Sequence, residues 1–316
     1  MAPDYSIVIP VYNEAEVLLV LYERLTEVMI GIGAPYEIIL VNDGSMDASL
    51  MLMREVHAKD AHVKFVSLSR NFGHQVAITA GLDHSSGKAV VVMDADLQDP
   101  PEVIPELIAK WREGFEVVVA VREGRRGETA FKRGTAALFY RLLRQLTSTE
   151  IYLDAADFRL MSRKAVNALN TLRERHRFMR GLASWVGFRQ TIVTFTRDVR
   201  HAGETKYPLR KMLRFALDGI TSFSFFPLQL ATYLGFGVSF ISLVYVVYAI
   251  GLKLFTDELV PGWASVIVAI LFVGGVQLIT VGIIGEYVGR IYEEVKQRPL
   301  YFVDETAGIE HMRDQP

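Results

Sequence analysis

Asp94 and Asp96, one residue apart after Val90-Val91-Val92-Met93, are the residues in this chain best placed to do chemistry. The apolar run reads as a buried strand, and Pro100-Pro101 closes the turn that follows. Residues i and i+2 of a strand project to one side, which puts the two carboxylates together. Two hard oxygen donors there suit Mg²⁺ or Mn²⁺ held against a diphosphate. Such an ion keeps few protein ligands and takes phosphate oxygens for the rest. A lone Asp-x-Asp is more often a solvated acidic turn. A position after a buried strand, with further acidic turns upstream, favours a site.

The elements that must position these residues are strands near 5–11, 36–41, 63–68, 88–93 and 116–121, with helical stretches between them. That alternation predicts an α/β fold with a mostly parallel, Rossmann-like sheet covered on both faces. Ligands of such sheets bind beyond the carboxyl ends of the strands, and polar residues gather there. The first strand runs into Pro10-Val11-Tyr12-Asn13-Glu14 and the second into Val41-Asn42-Asp43-Gly44-Ser45. The third runs into Ser69-Arg70-Asn71-Phe72-Gly73-His74-Gln75, and the fourth into the paired aspartates. Asp43-Gly44-Ser45 alone is more often a turn than a site; four such ends on one edge predict a pocket. No G-x-G-x-x-G follows the first strand and no P-loop is present, so a dinucleotide oxidoreductase is disfavoured. Phosphates must then be met by a metal and by side chains.

The remaining composition narrows the class. The chain of 316 residues has no cysteine, hence no thiolate chemistry, and a formal charge of −2 gives no basic field for nucleic acid. The N-terminus runs straight into a strand, so the catalytic domain is expected to stay in the cytosol. Leu228–Leu252 and Gly262–Gly285 carry no formal charge, and each exceeds the roughly 20 residues that span a bilayer core. Residues 253–261 form a short external loop between them. Arg210, Lys211 and Arg214 flank the pair on one side, and Arg290, Lys296 and Arg298 on the other, which places both flanks in the cytoplasm. The expected order is a domain over 1–207, an interfacial amphipathic segment over 208–227, transmembrane helices over 228–252 and 262–285, and a cytosolic tail over 286–316. Gly235, Gly237, Ser239, Gly274 and Gly275 offer small surfaces for a homo-oligomer or for packing the hairpin on itself.

These motifs, with Asp157-Phe158-Arg159-Leu160 and Gly203-Glu204-Thr205-Lys206-Tyr207, resemble the family 2 glycosyltransferases of GT-A fold. The match is to the polyprenyl-phosphate branch, and within it to the bacterial bactoprenol (undecaprenyl-phosphate) glucosyltransferases, relatives of dolichyl-phosphate mannose synthase. The resemblance implies inverting transfer of a hexose, glucose first, from a UDP-sugar to a polyprenyl phosphate at the cytosolic face of the cell inner membrane. It implies that Pro10, Tyr12, Glu14 and Asp43 surround the uridine, that Asp94 faces ribose and sugar, and that Asp96 and Gln98 approach Mg²⁺ or Mn²⁺. One departure is visible: the family often carries Asp-x-Gly-Asp-Phe-Arg where this chain reads Asp154-Ala155-Ala156-Asp157-Phe158-Arg159.

Asp157 is the candidate general base, or a group that positions the acceptor. A phosphate monoester is already anionic near neutral pH and needs orientation more than deprotonation. Arg122, Arg197, Arg200 and Lys206 are the candidate cations for the acceptor phosphate, with arginine's planar fork suited to phosphate oxygens. Arg125, Arg126, Lys132 and Arg133 read as a solvated face, and His74 and His201 as hydrogen-bonding residues rather than metal ligands. A processive polysaccharide synthase would show Gln-x-x-Arg-Trp and more spans. An inactive scaffold would have lost the aspartates.

Overall fold

A computed structural model describes residues 3–122, 155–195, 226–255 and 262–309. The chain divides into two units, one built from Met1–Leu209 with Arg298–Pro316 and the other from Arg210–Gln297.

In the first unit the five expected strands appear within a residue of their predicted bounds: β1 (Tyr5–Val11), β2 (Tyr36–Asn42), β3 (Val63–Leu68), β4 (Ala89–Val92) and β5 (Val117–Arg122). Three more were not expected: β6 (Ala155–Ser162), β7 (Gln190–Phe195) and β8 (Val303–Ala307). Together they make one sheet of order β7-β5-β6-β4-β1-β2-β3-β8. The pairs β1–β2, β1–β4, β2–β3 and β5–β7 are parallel, while β6 runs antiparallel between β4 and β5, and β8 antiparallel along β3. Strands β1 and β4 are buried along their whole length, as continuous Val/Ile runs covered on both faces should be.

Helices α1 (Leu18–Ile32), α2 (Ser49–Lys59), α3 (His74–His84), α4 (Ile104–Arg112), α5 (Arg163–Thr171) and α6 (Met179–Trp185) complete this unit. Apolar spacing sets the buried face of α1, where Leu18, Leu21, Leu25 and Met29 enter the core. Gly33 ends that helix in the left-handed conformation.

The tail expected after the apolar pair does more than extend from it. Residues 303–307 close the β3 edge, and Arg54 of α2 donates to Glu305 at 3.1 Å. Tyr301 donates to Asp83 at 2.8 Å, and Arg173 grips the same carboxylate at 2.9 Å.

The second unit holds two long helices, α7 (Phe226–Phe255) and α8 (Trp263–Val295). Each outruns its predicted span. Large apolar side chains such as Phe236, Phe240, Ile270 and Phe272 face outward. Among the described residues one stretch, Val268–Val295, is long and apolar enough to cross a membrane, with a mean hydropathy of 2.3 over an 18-residue window; Ala231–Tyr245 is a shorter apolar stretch. A Cβ added at Gly235, Gly237, Gly274 or Gly275 would meet no atom within 4 Å, so these glycines do not bring the two helices into close contact.

Candidate active site

The sheet reverses its winding at β1, which lies between β2 and β4. A crevice at the carboxyl ends of strands belongs at such a switch point. Tyr12-Asn13-Glu14 leave β1 on one side of it, and Asp94 to Gln98 leave β4 on the other.

Side-chain caps fix the β1 and β2 turns to each other. Ser45 accepts from the Asn13 amide at 3.0 Å, Asn13 Oδ1 from the Met46 amide at 2.8 Å, and Ser49 from the Glu14 amide at 3.0 Å. Asp47 accepts from the Ala15 amide at 3.1 Å. Asn13 holds φ of 57°, a left-handed conformation that asparagine tolerates better than most residues. Pro10 is buried within β1, Tyr12 is exposed on the rim and Glu14 is half-buried.

Asp43 is 3% exposed, and its carboxylate accepts from the Phe72 amide at 2.7 Å and the Gly73 amide at 3.0 Å. Burial raises its pKa in spite of those two donors. Beside it, Gly44 sits at φ 68°, where a Cβ would lie 2.5 Å from the Asn71 nitrogen. Only glycine lets the β2 turn press this closely on the loop after β3.

Strand β4 stops at Val92, so Asp94 and Asp96 lie beyond it rather than within it. The expected alternation nonetheless continues through the turn: Asp94 and Asp96 are half-buried, Ala95 and Leu97 buried. Leu97 has φ of 58° while buried, a strained conformation costing roughly 1–3 kcal/mol and typical of functional turns. Asp96 Oδ1 accepts from the Gln98 amide at 3.1 Å, and Gln98 is buried.

The Asp94 side chain keeps 29% exposure, yet its Oδ1 is sealed from solvent and accepts no hydrogen bond. Its nearest cation is His74 Nε2 at 3.4 Å. Burial pushes the Asp94 carboxyl up to about 7; the His74 charge opposes the shift, and Asp99, Asp157 and Asp96 reinforce it. Among the described residues no three His, Asp or Glu side chains form a closed metal-binding group. A hard cation held by one or two carboxylates and completed by diphosphate oxygens does not require one. The sealed oxygen, which accepts no hydrogen bond, and the nearby charges of Asp96, Asp99 and Asp157 are surroundings such a cation fits.

The register of β6 explains why Asp157 joins this edge. Val92 pairs with Arg159, so continuing the antiparallel ladder by two residues sets Asp157 level with Asp94. Asp157 is 4% exposed. It accepts from Arg180 Nε at 3.0 Å and Gln75 Nε2 at 3.2 Å, with His74 Nε2 at 3.3 Å and Arg159 at 3.7 Å. Burial alone would raise its pKa; Arg180, the His74 hydrogen bond and Arg159 overcome it and hold the carboxyl well below the usual range. Arg159 is itself lowered by burial to about 10, against the pull of Asp157. His74, also lowered by burial alone, is raised overall by Asp157 and Asp94.

Asp43, Asp94, Asp96, Gln98 and Asp157 thus share the strand-end edge with Tyr12 and Glu14. Arg122, at the end of β5, donates to the fully buried Asp99 at 3.1 Å. It neutralises a protein carboxylate, a role its expectation as an acceptor cation did not include. Arg197, Arg200 and Lys206, the basic stretch from Arg125 to Arg133, and residues 208–225 of the interfacial segment lie outside the described residues. Arg180 and Gln75 were not picked out from sequence as site residues, whereas Arg159 stands in the Asp157-Phe158-Arg159-Leu160 motif and forms the ion pair with Asp157 that the motif allows. His74 and Gln75 stand in a motif that was noticed; Arg180 carries no local signal.

The glycosyl transferase family 2 model matches residues 6–169, and the GtrB C-terminal hairpin model matches residues 226–291. The chain belongs to glycosyl transferase family 2, as its motifs implied, with a sheet of the GT-A type. It is 55% identical to the uncharacterized glycosyltransferase YkcC of Bacillus subtilis, over 98% of this chain and 96% of that one. It is 44% identical to the bactoprenol glucosyl transferase of Shigella phage SfII, over 95% and 97%. Glucosyl-3-phosphoglycerate synthase from Mycobacterium tuberculosis, crystallised with Mn²⁺, UDP and phosphoglyceric acid, aligns over 68% of this chain and 75% of that one. The identity is 20% and the TM-score 0.46.

Proposed function

We propose that this glycosyltransferase moves glucose from UDP-glucose to the phosphate of a polyprenyl phosphate, undecaprenyl phosphate, with inversion at the anomeric carbon. The observation that carries the reading is the Asp94–Asp96 turn, with its sealed carboxylate oxygen, at a switch-point crevice. Relatives named for bactoprenol glucosyl transfer match nearly the whole chain and so support the acceptor.

In this reading Pro10, Tyr12, Glu14 and Asp43 receive the uridine, and Asp94 faces ribose and sugar. Asp94, Asp96 and Gln98 would hold Mg²⁺ or Mn²⁺, which when bound offsets the charge that builds on departing UDP. Asp157 orients the acceptor rather than deprotonating it. A carboxylate held well below its usual pKa is a poor base, and the attacking phosphate is already anionic. Arg180, partly exposed beside Asp157, joins Arg197, Arg200 and Lys206 in meeting the acceptor's charge. Arg122 acts through Asp99.

The domain order follows the same reading. Residues 1–207 form the catalytic domain, 208–227 lie in the membrane interface, and α7 and α8 both span the bilayer, joined by an external loop over 253–261. The catalytic domain and the tail from 286 are cytoplasmic, at the inner membrane. The length of α8, its hydropathy and the hairpin match support this.

Membranes bearing the enzyme are incubated with a panel of labelled nucleotide sugars, and the organic-extractable product is identified. A glucosyl phosphopolyprenol of inverted configuration from UDP-glucose is expected. A water-soluble product, or retention of configuration, overturns the reading.

A further inference from the structure

The loop after β3 is gripped from two sides. On one side Asp43 accepts from the Phe72 and Gly73 amides at 2.7 and 3.0 Å. The Gly44 turn also leaves no room for a Cβ against Asn71. On the other side lies the start of the C-terminal strand. The β3–β8 ladder shifts register between Ser67 and Leu68, and past that irregularity the Ser69 amide donates to the Phe302 carbonyl at 3.0 Å. The Phe302 ring then meets the Phe72 ring with centroids 6.5 Å apart and planes tilted by 50°. The Arg70 guanidinium lies 4.0 Å from the Phe72 ring centroid as well. Phe72 is therefore the shared element: its amide holds Asp43 and its ring rests on Phe302.

We propose that Phe302 is a positioning residue for the nucleotide sugar, acting through Phe72 on Asp43. This rests on the donor assignment of Asp43 made above. Phe302 is 58% exposed, so little of its ring is buried in the core. Its removal empties no core. What the ring supplies is a stop for the Phe72 side chain, so that the Phe72 and Gly73 amides stay aimed at the Asp43 carboxylate. Without that stop the loop gains freedom that donor binding must remove, and the cost falls on donor affinity rather than on the chemical step.

The test uses full-length enzyme in membranes or detergent, with UDP binding by calorimetry and kinetics for donor and acceptor separately. Phe302→Ala should raise donor KM and weaken UDP roughly three- to tenfold, the scale of one lost aromatic contact. Its kcat at saturation and its acceptor KM should stay at wild-type values, and Phe302→Tyr should restore the donor KM. Glu305→Ala removes the Arg54 pair from the same strand without touching the loop, and should leave donor KM unchanged. Wild-type UDP affinity in Phe302→Ala, alongside weakened affinity in Asp43→Asn, overturns the proposal alone. An equal rise in Glu305→Ala also overturns it, because the strand and not the ring would then be responsible. Undiminished UDP affinity in Asp43→Asn would instead remove the donor assignment beneath it.

Discussion

Replacing Asp94 with asparagine should stabilise this protein while destroying its activity. In the fold the Asp94 carboxyl titrates at about 7 against an ordinary value of 3.8, chiefly because it is buried. Between those two values the native state holds a proton that the unfolded chain has released, so stability falls as pH rises through the window. Above the folded value the penalty is complete. A difference of roughly 3 units at about 1.4 kcal/mol each gives about 4 kcal/mol. Part of the shift comes from the charges of Asp99, Asp157 and Asp96 rather than from burial, so we take about 2–4 kcal/mol. Asparagine keeps the shape and carries no charge. Full-length Asp94→Asn, unfolded by heat in detergent with EDTA at pH 8, should melt roughly 5–15 °C above the wild type, at about 2–4 °C per kcal/mol. The gap should shrink to roughly half at pH 5.5, where wild-type Asp94 is largely protonated in the fold. Added Mn²⁺ should raise the wild-type melting temperature and leave the variant unmoved. A variant no more stable than wild type at pH 8, or a gap that widens on acidification, would refute the assigned electrostatics.

Chelation with EDTA should abolish transfer, with Mg²⁺ or Mn²⁺ restoring it, and Asp96→Asn should lose activity by orders of magnitude with unchanged circular dichroism; full turnover by metal-free enzyme contradicts this. The absence of native cysteine permits a topology test. A cysteine replacing Asp257 should react with an impermeant thiol reagent added to intact cells and one replacing Gln315 should not, the reverse pattern overturning the orientation. Arg200→Ala and Lys206→Ala should each cut acceptor efficiency roughly ten- to hundredfold, the effect of a lost hydrogen bond to a charged group. UDP affinity should hold in both, and calorimetry showing UDP lost as severely as in Asp43→Asn would place the cluster on the donor instead.

Local signals carried the part of the fold nearest the strand-end crevice. Four of the five apolar runs lead into Asn, Asp or Ser, marking strands whose ends must be polar because they meet ligand and solvent. Asp94 and Asp96 were visible for that reason, although they follow the strand rather than end it. What stayed hidden depends on pairing across long stretches of chain. Strand β6 reverses direction between β4 and β5, and only the Val92–Arg159 register brings Asp157 to the aspartate turn. Arg180 reaches Asp157 from a helix whose sequence, Met179 to Trp185, resembles any short amphipathic segment. Arg122 reads as a cation for the acceptor phosphate until Asp99 is seen buried beneath it. Strand β8, Val-Asp-Glu-Thr-Ala, is five residues long and mostly polar, so neither alternation nor β-propensity announces it.

That last strand makes the catalytic unit discontinuous in the chain, since Val66 on β3 pairs with Thr306, 240 positions further on. During synthesis at roughly 5–20 residues per second, β3 waits about 12–48 seconds for its partner. Throughout that interval it presents an open edge, the kind of surface on which chains aggregate or exchange strands. The apolar hairpin is made in between, so the ribosome delivers the sheet's final strand only after both long helices have emerged. A chain whose long helices stayed uncovered would meet its last strand with that apolar surface still competing for it. Completion of the sheet is thereby ordered after synthesis of both long helices, and the β3 edge stays unpaired until then.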